Sequence, residues 1–169
     1  MATSMTSVGV CGGRVWVRVD GKGCFLNAGA ISTFAKEMLD RGHRRFVVDM
    51  SLCPTMDSTF MGTLAGIALK LQKAPSGDGD AELMLVHVNE RNRELLGGLG
   101  LDHLMRVESG AGDAVSEGQF SALSEGEGGK ESKAQVMLDA HEACVEANAE
   151  NAVKFKDVLA YLREDLGKA

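Results

Sequence analysis

The residues best placed for chemistry in this sequence form one short run, Asp57-Ser58-Thr59-Phe60. It follows a stretch that reads as a buried strand, beginning at Phe46-Val47-Val48, and a loop punctuated by Pro54. After it, Met61, Leu64, Ala65, Ala68 and Leu69 recur at helical spacing. Asp57, Ser58 and Thr59 are each residues that cap a helix. A hydroxyl at such a helix start sits on a loop, where it can be reached. The free N–H groups and the positive end of the helix dipole there favour an added phosphate. Phosphorylation would bring about −1.5 to −2 charge units. The plainer role for the same residues is capping alone.

Other candidate chemistry is sparse. His43, His87, His103 and His141 are scattered and have no carboxylate at catalytic spacing, so they read as surface or core residues. Cys11, Cys24, Cys53 and Cys144 form no CxxC pair and have no histidine cluster beside them. That excludes an ordinary zinc pattern and suggests reduced, mostly buried thiols in a cytoplasmic protein. Gly97-Gly98-Leu99-Gly100 lacks the Lys-Ser/Thr of a phosphate loop. Asp49 is expected to end a strand and cap the loop after it. No Ser/His/Asp set stands out, so the expectation is a non-enzyme with no cofactor and no metal.

The elements that must position Ser58 follow from periodicity. Val8 to Cys11, Gly12-Gly13 and Arg14 to Val19 predict a hairpin, with glycines supplying the positive φ of a tight turn. Val15, Val17 and Val19 alternate with Arg14, Trp16 and Arg18, which assigns one face to a core. Ile31, Phe34, Ala35, Met38 and Leu39 predict a helix from Ala30, stopped at Gly42. Leu83 to Val88 predicts a buried strand, Asn89 caps a helix holding Leu95, Leu96 and Leu99, and Leu104 to Val107 predicts a last short strand. Strands alternating with helices imply a mixed sheet with helices packed on it.

Two later segments differ in kind. Ser109 to Lys130 mixes glycine with Ser, Asp and Glu and offers little apolar bulk, so a flexible linker is expected at 109–130. Ser132 and Gln135 have capping-box spacing, with Ala134, Met137, His141 and Cys144 following as a helical stripe. Asn148 or Asn151 restarts a second helix, in which Ala152, Phe155, Leu159, Leu162 and Leu166 recur. Glu150 and Lys154 have i,i+4 spacing for an ion pair. These helices need a surface to cover: each other, the main domain, or a second copy in a homodimer. The expected organisation is 1–108 as one domain, 109–130 as linker and 131–169 as a two-helix extension.

Composition narrows the partners. The 169 residues are 44% hydrophobic but only 5% aromatic, so aliphatic residues and methionine must fill the core. A net charge of −6 argues against direct nucleic-acid binding and against a polybasic membrane patch. No run approaches the ~18 apolar residues of a membrane span, and Met1 to Val10 does not read as a secretory signal.

The stretch from Val47 through Asp57-Ser58-Thr59 to Gly62 resembles the motif of STAS domains, the fold of anti-sigma-factor antagonists. There a strand is followed by Met-Asp-Ser-Ser/Thr-Gly-hydrophobic-Gly and a helix; here Met56-Asp57-Ser58-Thr59-Phe60-Met61-Gly62 occupies those places. Asn89-Glu90-Arg91-Asn92-Arg93-Glu94-Leu95-Leu96, then Leu99-Gly100-Leu101, resembles the family's third helix and exit turn. The resemblance spans roughly Gly9 to Ser109. It implies an α/β STAS fold, a mixed sheet of four to five strands with helices packed on it, here with a C-terminal helical extension. It also implies a non-catalytic binding module with Ser58 as the residue that a partner kinase phosphorylates. The unmodified form would bind an anti-sigma serine kinase, and a PP2C-type phosphatase would restore it. Asp57, Thr59, Phe60 and Asn27 are the implied partner-facing residues. A scaffold or ligand-sensing STAS module without phosphorylation is the other reading. Two departures mark this chain. Phe60 stands where glycine is usual, as a partner anchor or, preferably, as a packing residue. The loop Gly21 to Asn27 lacks the family's aspartate, for which Asn27 can substitute as a polar cap.

Overall fold

The computed structural model describes residues 4–74, 81–108, 120–123 and 130–167. Strands β1 (Met5–Cys11) and β2 (Arg14–Asp20) form the expected hairpin, with Gly12 and Gly13 both at positive φ in its turn. Helix α1 (Phe25–Asp40), strand β3 (Arg45–Leu52), helix α2 (Ser58–Lys73), strand β4 (Glu82–Val86), helix α3 (Glu90–Gly98) and strand β5 (Arg106–Val107) follow. The sheet runs β5-β4-β3-β2-β1-β6, where β6 is Ser121–Leu123. β2, β3, β4 and β5 pair in parallel; β1 pairs antiparallel with β2 and with β6. The STAS-like α/β fold is as expected, with six strands in place of four to five.

Period-2 alternation divides the sheet cleanly. Val15, Val17 and Val19, Phe46, Val48 and Met50, and Leu83 and Leu85 face the helices in one large core. Trp16, Val47, Met84 and Val86 form a smaller cluster on the opposite face, with Cys11 and Phe120 against it. Asp49 belongs to this second face. It does not end its strand but lies within β3, buried, accepting from Arg18 Nε at 3.2 Å and from the Ser51 N–H at 3.0 Å. Burial here is matched by pairing, as a carboxylate requires.

Helix α1 begins five residues before Ala30. Its start signal is not an N-cap side chain but Asn27, whose Oδ1 accepts from the Cys24 N–H at 3.0 Å. Its Nδ2 donates to the Lys22 carbonyl. Asn27 thus serves as the polar cap expected of it.

Part of the expected linker is strand. Ser121, Ala122 and Leu123 pair with Val8, Ser7 and Thr6. The physical reason is that β1 otherwise presents an open row of backbone donors and acceptors, which three residues of any composition can satisfy. Phe120 then covers the second face, its ring 4.3 Å from the Arg18 guanidinium. The expectation for 109–119 and 124–129 lies outside the described residues.

The tail differs most from expectation. It holds three helices, α4 (Lys130–Ala147), α5 (Asn151–Lys154) and α6 (Lys156–Asp165). Ser132 lies inside α4, so it does not open the helix. Lys154 Nζ donates to the Gly98 carbonyl, reaching toward the domain and not toward Glu150 as its spacing suggested. Ala134, Leu138, Leu159 and Leu162 form a cluster of their own between α4 and α6, with Phe155 and Leu166 partly buried beside it and Ala152 exposed. Asn151 is fully buried and ties the tail to the domain, donating to the Leu99 and Cys144 carbonyls, each at 2.8 Å. Helix α4 lies on α2. A Cβ on Gly62 would come within 2.1 Å of the Ala140 carbonyl oxygen, so glycine is what admits the α4 backbone there.

Candidate functional site

The loops at the carboxyl ends of β2 and β3 converge on the start of α2. The Gly23 N–H donates to the Thr55 carbonyl at 3.0 Å, and the Asp57 N–H donates to the Gly23 carbonyl at 2.8 Å. Asn92, fully buried on α3, donates to the Cys53 carbonyl at 2.9 Å, and Asn89 caps α3 by accepting from the Asn92 N–H at 2.7 Å. The loop that presents Ser58 is therefore held from both sides.

Asp57 is the N-cap of α2. Its Oδ1 accepts from the Phe60 N–H at 2.8 Å, and its Oδ2 accepts from the Phe25 N–H at 3.1 Å. One carboxylate thus joins the N-termini of α1 and α2. Both ends carry partial positive charge, which suits an anion at this position.

Ser58 is the first residue of α2 and is half-buried. Its Oγ lies 3.0 Å from Nε2 of His141 on α4. His141 Nδ1 lies 2.6 Å from the Met137 carbonyl oxygen. A carbonyl can only accept, so Nδ1 is the protonated nitrogen in that bond. In the neutral ring Nε2 then carries the lone pair, and the Ser58 hydroxyl donates to it. The ring is 5% exposed and meets the edge of Phe155, with centroids 4.7 Å apart and planes at 78°.

The other implied site residues are placed differently from one another. Thr59 is buried, its carbonyl accepting from Thr63 Oγ1. Phe60 is fully buried, and its ring packs so closely on Gly23 that a Cβ there would come within 2.8 Å of it. Phe60 is therefore a packing residue, paired in size with Gly23, and not a partner anchor. Asn27, 2% exposed, likewise has no surface to offer a partner. Exposure falls instead on Phe25, Leu26 and Leu52, at 40%, 45% and 52%, at the starts and ends of the same elements. These three residues flank the loops that meet at the start of α2. Phe25 and Leu26 carry no local site signal, because the helical periodicity of α1 is visible only from Ala30. Sequence reading misses His141 as a site residue because the histidine's partner lies 83 positions away. The only signal was its position in the Ala134, Met137, His141, Cys144 stripe, which faces inward.

All four cysteines are free thiols. Burial pushes Cys144 from an ordinary 9.0 up to about 11. Burial also raises Cys53, against hydrogen bonds from the backbone of Gly23 and Thr55 that pull it down. Neither is a candidate nucleophile. A cleft of about 470 Å³ runs between α2 and α4 past Gly66, Lys70 and Glu146 and does not include Ser58. None of the described helices is long and apolar enough to cross a membrane.

The family model for the STAS domain matches residues 6–114, the span that holds most of the sheet and the start of α2. The chain belongs to the STAS domain family. It is similar to the crystal structure of TM1081, a candidate anti-sigma factor antagonist from Thermotoga maritima. That likeness covers 66% of this chain and 88% of TM1081, at 19% identity and a TM-score of 0.53. An NMR structure of TM1081 is similar over 59% of this chain and 77% of its own, at 18% identity and a TM-score of 0.52. No curated protein matches the sequence. Residues 130–167, and with them His141, lie beyond the matched span.

Proposed function

We propose that this protein is an anti-sigma-factor antagonist, acting by binding and not by turnover. In this reading the unmodified form binds an anti-sigma serine kinase through the face around Ser58, which frees a sigma factor. Phosphorylation of Ser58 ends that binding, and a PP2C-type phosphatase restores it. The work takes place in the cytoplasm, without direct contact to nucleic acid or membrane.

The observation that carries this reading is the hydroxyl of Ser58 at the first position of α2, beside Asp57 and near exposed Phe25, Leu26 and Leu52. The apolar side chains supply contact area. The helix start tolerates an added anion within the domain. A docked partner would not tolerate it, because about two negative charges would enter a surface that already carries Asp57. Asp57 and Ser58 remain the proposed partner-facing residues, with Thr59 contributing through the backbone.

The test is phosphosite mapping by mass spectrometry on the protein isolated from its native cells, with and without PP2C-type phosphatase treatment. Phosphate on Ser58, removed by the phosphatase, is the expected result. Phosphate on Thr59 instead, or on no residue of α2, overturns the switch.

One observation favours a second reading, a STAS scaffold without phosphorylation. The Ser58 hydroxyl is already bonded to His141 beneath α4. In that case Ser58 would only fasten α4 to α2, and Ser58→Ala would lower stability without altering any binding.

A further inference from the structure

Ser58 and His141 have a geometry that capping does not need. Asp57 already caps α2, so the Ser58 hydroxyl is spare as a cap. It lies 3.0 Å from imidazole Nε2, the nitrogen that accepts in the neutral ring because Nδ1 is turned to the Met137 carbonyl. The imidazole is in turn oriented by a third group, the Met137 carbonyl. A nucleophile, a base within reach and a group that fixes the base make up the arrangement that activates a hydroxyl. The base cannot swing away cheaply. Its helix is seated on α2 through Gly62 and Ala140, held by the Lys73–Glu146 ion pair at 2.6 Å, and its ring lies against Phe155. None of these α4 groups falls within the part of the chain matched by the family model.

We propose that Ser58 and His141 are a nucleophile–base pair within one chain, so that this phosphate acceptor carries its own general base. The phosphoryl step rests on the function proposed above. A partner kinase supplies a nucleoside triphosphate. Ser58 Oγ attacks the γ-phosphorus, the Oγ–P bond forms, and the bond from that phosphorus to the β-phosphate oxygen breaks. The nucleoside diphosphate leaves, and the hydroxyl proton passes to His141 Nε2. The imidazolium then stands beside the new phosphate as its counter-ion. In hydrolysis of the phosphoserine a water oxygen bonds to phosphorus as the Oγ–P bond breaks, the proton returns from His141 Nε2 to Oγ, and inorganic phosphate leaves. General-base assistance of this kind contributes roughly a hundredfold or more to rate.

The test uses an electrophile that needs no kinase, diisopropyl fluorophosphate, with the purified full chain. Attack forms an Oγ–P bond, expels fluoride and delivers the proton to Nε2. Peptide mapping should find Ser58 labelled in preference to every other serine. His141→Gln, with an unchanged circular dichroism spectrum, should be labelled roughly a hundredfold more slowly. His141→Ala should regain part of the rate when imidazole is added. Should both variants unfold, selectivity for Ser58 in the wild type decides the matter. No label on Ser58, label spread evenly over exposed serines, or equal rates in wild type and His141→Gln would each overturn the pair. Phosphate on Ser58 in cells with no labelling in vitro removes only the pair and leaves the switch standing. Labelling at Ser58 with no phosphate in cells supports the pair and removes the switch.

Discussion

Helix α2 meets the rest of the molecule by two different means. At its first turn the contacts are polar and specific: Asp57 to the backbone of Phe25 and Phe60, and Ser58 to His141. Along the turns that follow, the contact is steric, with Gly62 against the Ala140 backbone and Gly66 near Ala143. The first region can register a change of charge, because its groups are ionisable or face helix dipoles. The second registers chiefly a change of volume, its charged contact being the exposed Lys73–Glu146 pair at the far end of the helix. The lesson is a division of labour within one helix. A steric seat fixes α4, and because α4 is fixed, the polar turn has a defined neighbour.

The sharpest way to break this comparison is at the seat. Gly62→Val would place side-chain atoms where the Ala140 carbonyl stands, and backbone cannot yield as a side-chain tip can. We expect a loss of about 3 kcal/mol or more in urea unfolding, with α4 displaced. Loss of Ser58–His141 coupling should accompany it, seen as a changed imidazole NMR signal. Phe155→Ala should come next. The ring is half-buried and supports the His141 edge, so a loss of about 2 kcal/mol is expected, below the range for a fully buried ring. An unchanged melting temperature would remove the claim that the tail packs on the domain.

At the polar turn, Asp57→Ala removes acceptors from two helix starts. It should cost about 1–2 kcal/mol by the usual worth of an N-cap, with α1 and α2 both losing amide-exchange protection at their first turns. Protection lost at α2 alone would contradict the joint role. The smallest effect should have the opposite sign. A Cβ on Gly66 meets nothing closer than 3.7 Å, and this glycine is not at positive φ. Gly66→Ala should therefore stabilise the protein by about 0.5–1 kcal/mol through helix propensity. Destabilisation would mean that the seat extends further along α2 than the contacts imply.

The buried thiol of Cys144, on the same helix as His141, gives a pH check of the seat. Its folded value of about 11 lies above an ordinary 9.0, so the native state holds the proton that the unfolded chain gives up. The unfolded chain then binds fewer protons, and stability is expected to fall as pH rises from about 9 towards 11, with no contribution from this group below 9. A Cys144→Ala variant should lack that part of the alkaline loss in thermal melts.

Much of the domain was legible because its signals are local. Alternation along β2 assigned Trp16 and Val17 to opposite faces, and Asn89 marked the start of α3 by residue type alone. Asp57 and Ser58 at a helix start could be read the same way. What was not legible depended on partners distant in sequence. The burial of Phe60 follows from Gly23, which leaves the space its ring fills. Strand β6 follows from the open edge of β1, not from its own composition. Asp49 read as a loop cap because its partner Arg18 belongs to another strand. His141 read as an ordinary inward-facing residue because nothing near it in sequence announces Ser58.

The most direct test of the central claim is calorimetric binding of wild type, Ser58→Ala and Ser58→Asp to a purified serine kinase of the anti-sigma class from the same cells. Wild type and Ser58→Ala should bind alike, because the proposed docking face of Phe25, Leu26 and Leu52 is intact in both. Ser58→Asp should bind at least tenfold more weakly, a difference of about 1.4 kcal/mol, with its fold unchanged by circular dichroism. Equal affinities for all three, or no binding by any of them, would contradict the account.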